Sequence, residues 1–151
     1  MKNINKSELE ESLHDAIRSG NVIDRNTLRI MLTEIKLAEI DKKGELNEQE
    51  MLALFQKQAK MRRESIAEAE KASRSDLIPV LQKELSFLKT YLPQPISEKD
   101  LESMVRVAID ETSALGIEEM GKVMKVIMPR VQGRAEGKTV SGMVRNLLSE
   151  V

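Results

Sequence analysis

Gly133, Gly137, Lys138 and Thr139, within "QGRAEGKTVSG" (Gln132 to Gly142), spell a phosphate-binding loop with one residue missing. In the complete motif a strand feeds a glycine turn whose amides wrap phosphate, and a helix follows at once. Here the preceding segment reads as a helix stopped by Pro129, and no parallel βαβ pattern surrounds the turn. No apolar strand ends in an aspartate that could hold magnesium. Nucleotide hydrolysis is therefore not expected. What survives is a basic turn before a helix, whose free N–H groups and dipole favour an anion. The bland alternative is a loop whose glycines only turn the chain.

Charge around this turn is uneven. From Lys122 to Lys138 five cations (Lys122, Lys125, Arg130, Arg134, Lys138) face Glu136 alone, a local charge of +4, whereas Glu98 to Glu119 carries seven acids against Lys99 and Arg106, a local charge of −5. Such polarity either orients a polyanion or lets neighbouring helices pair their charges. The net charge of −1 is not that of a nonspecific nucleic-acid binder.

Other chemistry finds little support. The only histidine, His14, sits mid-helix among charged residues, without a second histidine to share a metal or a serine in a nucleophile turn, and it reads as a surface residue. Carboxylate pairs such as Glu10/Glu11 and Glu118/Glu119 lie at helix starts, where negative charge is stabilising. Arg62 and Arg63 in "KMRRES" offer a secondary polyanion contact, or else pair with acids such as Glu64 and Glu68. With no cysteine, disulfides, thiolate metal sites and cysteine nucleophiles are excluded, and an intracellular address is expected. "MKNINKSELEESLHD" has no apolar signal core and no later segment approaches a membrane span, so the expected location is cytoplasmic. No catalytic residue, metal or cofactor is assigned.

The elements that must position these residues read as helices. Aromatics make up only 2% of the 151 residues, and nine methionines with many Leu, Ile and Ala favour helix packing over strands. The first helix has Ser7 and Glu10 in capping-box spacing, Leu9, Leu13, Ala16 and Ile17 on one face, and Gly20 as its stop. A second begins near Asn26 with Leu28, Met31, Leu32, Ile35 and Ala38, and a third is capped by Asn47 with Glu50 three residues on. After "SRSDLIP" a fourth carries Leu81, Leu85, Leu88 and Leu92, with Pro79 near its start.

Pro93 and Pro95 in "YLPQPISEKD" break the pattern, and Ser97 with Asp100 opens a new helix. The expected class is all-α: a larger helical domain over residues 1–92, a proline-containing linker over 93–96, and a three-helix domain over 97–151, with Leu101, Met104, Val105, Ala108 and Ile109 on its first helix, a short helix over "EEMGKVMKVIM", and Val140, Met143, Val144, Leu147 and Leu148 on its last.

"TLRIMLTEIKLAEID", "FLKTYLPQPISEKDLE" and "MGKVMKVIMPRVQGRAEGK", in that order, resemble the YqeY-like proteins of the GatB/YqeY family over nearly the whole chain. The resemblance implies an all-helical fold, and kinship with the C-terminal tail of the B subunit of the amidotransferase that corrects Glu-tRNA-Gln or Asp-tRNA-Asn, a tail that helps hold tRNA. Catalysis in that enzyme resides outside the tail, so tRNA binding carries over and carbon–nitrogen ligase activity does not. The matching positions are Gly121, Lys122, Lys125, Arg130, Gly133, Arg134, Gly137 and Lys138, where the resemblance implies cations on phosphates and glycines admitting the backbone. Glu136, where aspartate is commoner, and Pro95, where a helix-compatible polar residue is usual, depart from the family pattern.

The leading expectation is thus a noncatalytic tRNA- or RNA-binding accessory protein that reads shape and backbone, since there are few aromatics for base stacking. The rival is an adaptor docking on an amidotransferase or an aminoacyl-tRNA synthetase.

Overall fold

The computed structural model describes residues 2–131 and 133–151; Gln132, at the head of the glycine stretch, lies outside the described residues. The described chain is all-α, with no strand among those residues, as composition and periodicity predict. Its contacts fall into two compact units, Met1–Leu92 and Pro93–Val151.

In the first unit α1 spans Lys6–Ser19, α2 Val22–Lys42, α3 Glu48–Lys71 and α4 Ile78–Lys89. The cap of α1 is Asn5, whose side chain accepts from the Glu8 amide at 2.8 Å, so the Ser7/Glu10 box expected from spacing is not the one used. Gly20, at φ 73°, ends α1 in the left-handed conformation that costs glycine least. Asn21 then caps α2 at once by accepting from the Asp24 amide at 3.1 Å. That joint leaves no loop, which is why α2 starts well before Asn26. Asn47 and Glu50 form the reciprocal capping box that their spacing predicts. Pro79 sits in the first turn of α4, where its missing N–H has no helical acceptor.

The core of this unit gathers Leu9, Leu28, Met31, Ile35, Phe55, Ala59 and Leu88, all essentially inaccessible to water. Ile17, expected on the apolar face of α1, is about half exposed instead. All three aromatics of the chain meet here: Tyr91 packs 4.9 Å from Phe55 and 5.6 Å from Phe87, ring centre to ring centre. Burial pushes the Tyr91 phenol up from its ordinary pKa, the Ser12 side chain offsetting part of that without closing a hydrogen bond of normal geometry.

In the second unit α5 spans Glu98–Thr112, a 3₁₀ turn Ile117–Glu119, α6 Met120–Val131 and α7 Gly137–Ser149. Ser97 caps α5 through the Asp100 amide at 3.1 Å. Val105, Ala108, Val123, Ile127, Val131, Val140 and Val144 are fully buried, each large side chain contributing roughly 1.5–3 kcal/mol relative to exposure. Pro129 does not stop α6, as its sequence position suggests; the helix continues through it to Val131. The proline forgoes its own bond to the Lys125 carbonyl, and the helix ends two residues later.

Candidate nucleic-acid interface

α6 presents Val123, Ile127 and Val131 to the core, which leaves Gly121, Lys122, Lys125, Pro129 and Arg130 exposed. The eight family-matched residues therefore divide along this helix. Gly121 and Lys122 lie in its first turn, Lys125 near its middle, and Arg130 in its last turn, so Lys122 and Arg130 stand about 12 Å apart along the axis. Gly133, Arg134, Gly137 and Lys138 follow in the α6–α7 loop and the first turn of α7.

Their electrostatic states differ. Lys122 donates to Glu119 at 2.8 Å, and the Glu119 carboxylate also accepts from the Leu115 amide at 2.6 Å. The bonded Lys122 ammonium, then the Leu115 amide, hold that carboxyl below its ordinary pKa. Arg130 donates to Glu111 at 2.5 Å. Two of the five cations thus pair with the acidic 98–119 stretch, which is what neighbouring helices of opposite charge predict.

Arg134 is placed differently again. Its Nε donates to the Gln94 carbonyl at 3.0 Å and its own carbonyl accepts from the Ile96 amide at 3.0 Å, fastening the α6–α7 loop to residues 94–96. That uses one of five guanidinium donors. Lys125 and Lys138 are exposed and enter no ion pair among the described residues.

Glycine geometry separates these positions further. Gly133, at φ 74°, needs a left-handed backbone, so the fold alone accounts for it. Gly121 and Gly137 have no such need: a Cβ at Gly121 would meet nothing within 4 Å, and at Gly137 only the Met128 methyl at 3.9 Å. At the start of α7 the Glu136 side chain makes no capping bond, and no acid lies in the first turn. The first amide bonded within the helix is that of Val140, to the Glu136 carbonyl, so those of Gly137, Lys138 and Thr139 precede the helical ladder. The helix nonetheless starts there, although a glutamate caps less well than an aspartate.

The secondary pair sits elsewhere. Arg62 is largely buried and donates to Glu84 at 2.9 Å and to the Gln58 carbonyl oxygen at 2.7 Å, joining α3 to α4. Its partner lies 22 residues away rather than at Glu64 or Glu68. Arg63 is half-buried, and His14 is exposed as expected. No group of metal-ligating side chains occurs among the described residues, and no helix there is long and apolar enough to cross a membrane.

Sequence reasoning missed the Glu119 carboxylate, which fixes the entry to α6 and occupies Lys122, and the Gln94 and Ile96 clamp on Arg134. The acid was visible only as one of a pair at a helix start, and the clamp ends on backbone groups, the Gln94 carbonyl forty residues from Arg134 and the Ile96 amide, for which no side-chain pattern exists.

Comparison with known proteins places these residues in context. A family model described as Yqey-like protein matches residues 6–148. Three curated relatives share the name altered inheritance of mitochondria protein 41, mitochondrial. The one from Pyrenophora tritici-repentis is 31% identical over 140 residues, covering 89% of this chain and 75% of the relative. That from Lachancea thermotolerans is 32% identical over 108 residues, or 70% and 58%, and that from Vanderwaltozyma polyspora 31% over 99 residues, or 60% and 54%. The chain thus spans little more than half the length of the last two. These names overturn the cytoplasmic expectation. It rested on missing apolar segments, whereas mitochondrial targeting uses amphipathic, arginine-rich segments that such a test does not see.

Proposed function

The chain belongs to the YqeY-like protein family, and on that premise we propose that it is a noncatalytic accessory protein that binds tRNA or another structured RNA through the α6–α7 junction. The observation that carries this reading is the start of α7: amides without a side-chain cap, a glycine the packing does not require, and Lys138 without an ion pair, all in one turn. Such a turn suits a phosphate oxygen. Lys125 and the remaining donors of Arg134 supply further charge-assisted contacts. The second unit contains no aromatic residue, so its own side chains offer no base stacking and its contacts would be to the backbone.

Titration with unmodified tRNA near physiological salt tests the reading. Saturable, salt-dependent binding is expected. If Lys125 and Lys138 alone met phosphate, log affinity against log salt would slope about −1.4 to −1.8; if all five cations did, about −3.5 to −4.5. Lys138→Ala should reduce the magnitude by about 0.7–0.9. Absence of saturable binding would remove the proposal.

An adaptor role, docking on an amidotransferase or a synthetase, is the second reading. The Lys122–Glu119 and Arg130–Glu111 pairs favour it, since cations occupied by the chain's own acids need no polyanion. A protein partner retained after nuclease treatment, with no tRNA titration, would replace the first reading by this one.

A further inference from the structure

α2 carries two apolar faces, and the fold uses one. Leu28, Met31 and Ile35 are buried in the first unit's core, while on the opposite side Ile30, Leu37 and Ile40 are 40%, 53% and 62% exposed. With exposed Asn26 and Thr33, and with Ile23, which is half-buried beside α4, these residues recur at alternating intervals of three and four, the a and d positions of a heptad seam, from Ile23 to Ile40. The seam covers about 27 Å of helix.

The charges beside the seam are sorted by sign. Arg29 and Lys36 flank it on one edge, at the g positions, and Glu34 and Asp41 on the other, at the e positions. None of the four enters an ion pair or side-chain hydrogen bond among the described residues. A solvated helix face has no reason to separate its charges in this way, whereas a helix paired with its own copy does. In a parallel pair each g residue meets the e residue five positions on in the partner helix. Arg29 would then face a glutamate and Lys36 an aspartate, and the two-fold axis repeats both contacts. An antiparallel pair would set base against base and acid against acid, which is destabilising.

We infer that this exposed face of α2 is a self-association surface, on which a second copy of the chain docks α2 against α2 in parallel, about a two-fold axis along the helices. Ile23, Ile30, Leu37 and Ile40 form apolar layers with their own counterparts. Asn26, at a d position, would meet Asn26 of the other copy in a polar layer within the seam. The inference stands apart from RNA binding and survives its failure.

The experiment is sedimentation of the full chain up to about 100 μM, a range that detects weak association, with three variants whose changes lie on exposed or half-buried outer positions and whose helicity is checked by circular dichroism. The wild type should show a monomer–dimer equilibrium. Arg29→Glu with Lys36→Glu makes both edges acidic, and Glu34→Lys with Asp41→Lys makes both basic. Each double variant alone should associate at least about tenfold more weakly, and an equimolar mixture should regain the dimer. Ile40→Cys, in a chain with no cysteine of its own, should form a disulfide-linked dimer when oxidised glutathione is added as the two-electron oxidant, because parallel pairing brings the two copies of this position together. A wild type that stays monomeric throughout, charge variants that dimerise as well as wild type, or a mixture that remains apart would each overturn the assignment, leaving the seam to a different helix.

Discussion

At the start of α3, Asn47 and Glu50 close two backbone donors at 2.8 Å each; at the start of α7, Glu136 closes none with its side chain. Cations follow the same division. Arg62 in the first unit is committed to Glu84 and Gln58 inside the α3–α4 contact, whereas Lys138 beside the open helix start has no ion pair among the described residues. Both regions contain the same kinds of group, but the start of α3 is closed by side chains and the start of α7 has no side-chain cap. A helix start without its cap forgoes about 1 kcal/mol. A region with an uncapped helix start, a glycine the packing does not need and a lysine outside any ion pair among the described residues is the one to which the proposed phosphate contact is assigned.

The contrast is tested most strongly at Arg62. Arg62→Ala leaves the largely buried Glu84 carboxylate without its partner and should cost about 2 kcal/mol in urea unfolding. RNA affinity, measured where the variant is still folded, should not change. A weaker RNA complex with unaltered stability would mean that Arg62 is a phosphate contact, and that the division between the two regions is false.

Next in size is Asn47→Ala, which removes a capping bond and should lower stability by about 1 kcal/mol. Its counterpart at the other helix start, Gly137→Ala, should move in the opposite sense. The added methyl meets only Met128 at ordinary contact distance and should raise stability by about 0.5 kcal/mol. If phosphate approaches the backbone there, the same methyl weakens RNA binding. Stability rising while affinity falls separates a ligand site from a turn; both rising, or affinity unmoved, would leave the glycine without a functional reason.

What could be read in advance follows the range of each interaction. The Asn47/Glu50 box is complete within four residues and was legible. So was the all-helical class, because periodicity repeats along every segment. The true caps Asn5 and Asn21 were overlooked, since Ser7 with Glu10 offered the same spacing and Asn26 preceded a clear apolar stripe. Pro129 is a poor stop signal here because a proline weakens the turn before it without forbidding helical φ, and α6 runs two residues past it. The basic stretch was legible as charge, but not the partition of its members. Glu111 lies 19 residues before Arg130 and Glu84 lies 22 after Arg62, and only folding selects those acids over nearer ones.

Within the second unit a milder change is expected at the entry of α6. Glu119 is held below its ordinary pKa by Lys122 and by the Leu115 amide. A carboxyl depressed on folding stabilises the native state above its unfolded value near 4.5, and that contribution is lost as pH falls through the lower folded value. At neutral pH the pair is therefore intact and Lys122 is occupied. Glu119→Gln keeps an oxygen that can accept from the Leu115 amide while releasing Lys122 from its charge partner. Acid sensitivity should shrink below pH 4.5, where Glu119 no longer takes up a proton. In the salt titration, the slope should steepen by about 0.7–0.9 if the freed lysine reaches a phosphate. Removing an acid raises affinity for any polyanion, so the slope, not the affinity, is the decisive readout. An unchanged slope would remove Gly121 and Lys122 from the proposed contact and assign them to the entry of α6 alone.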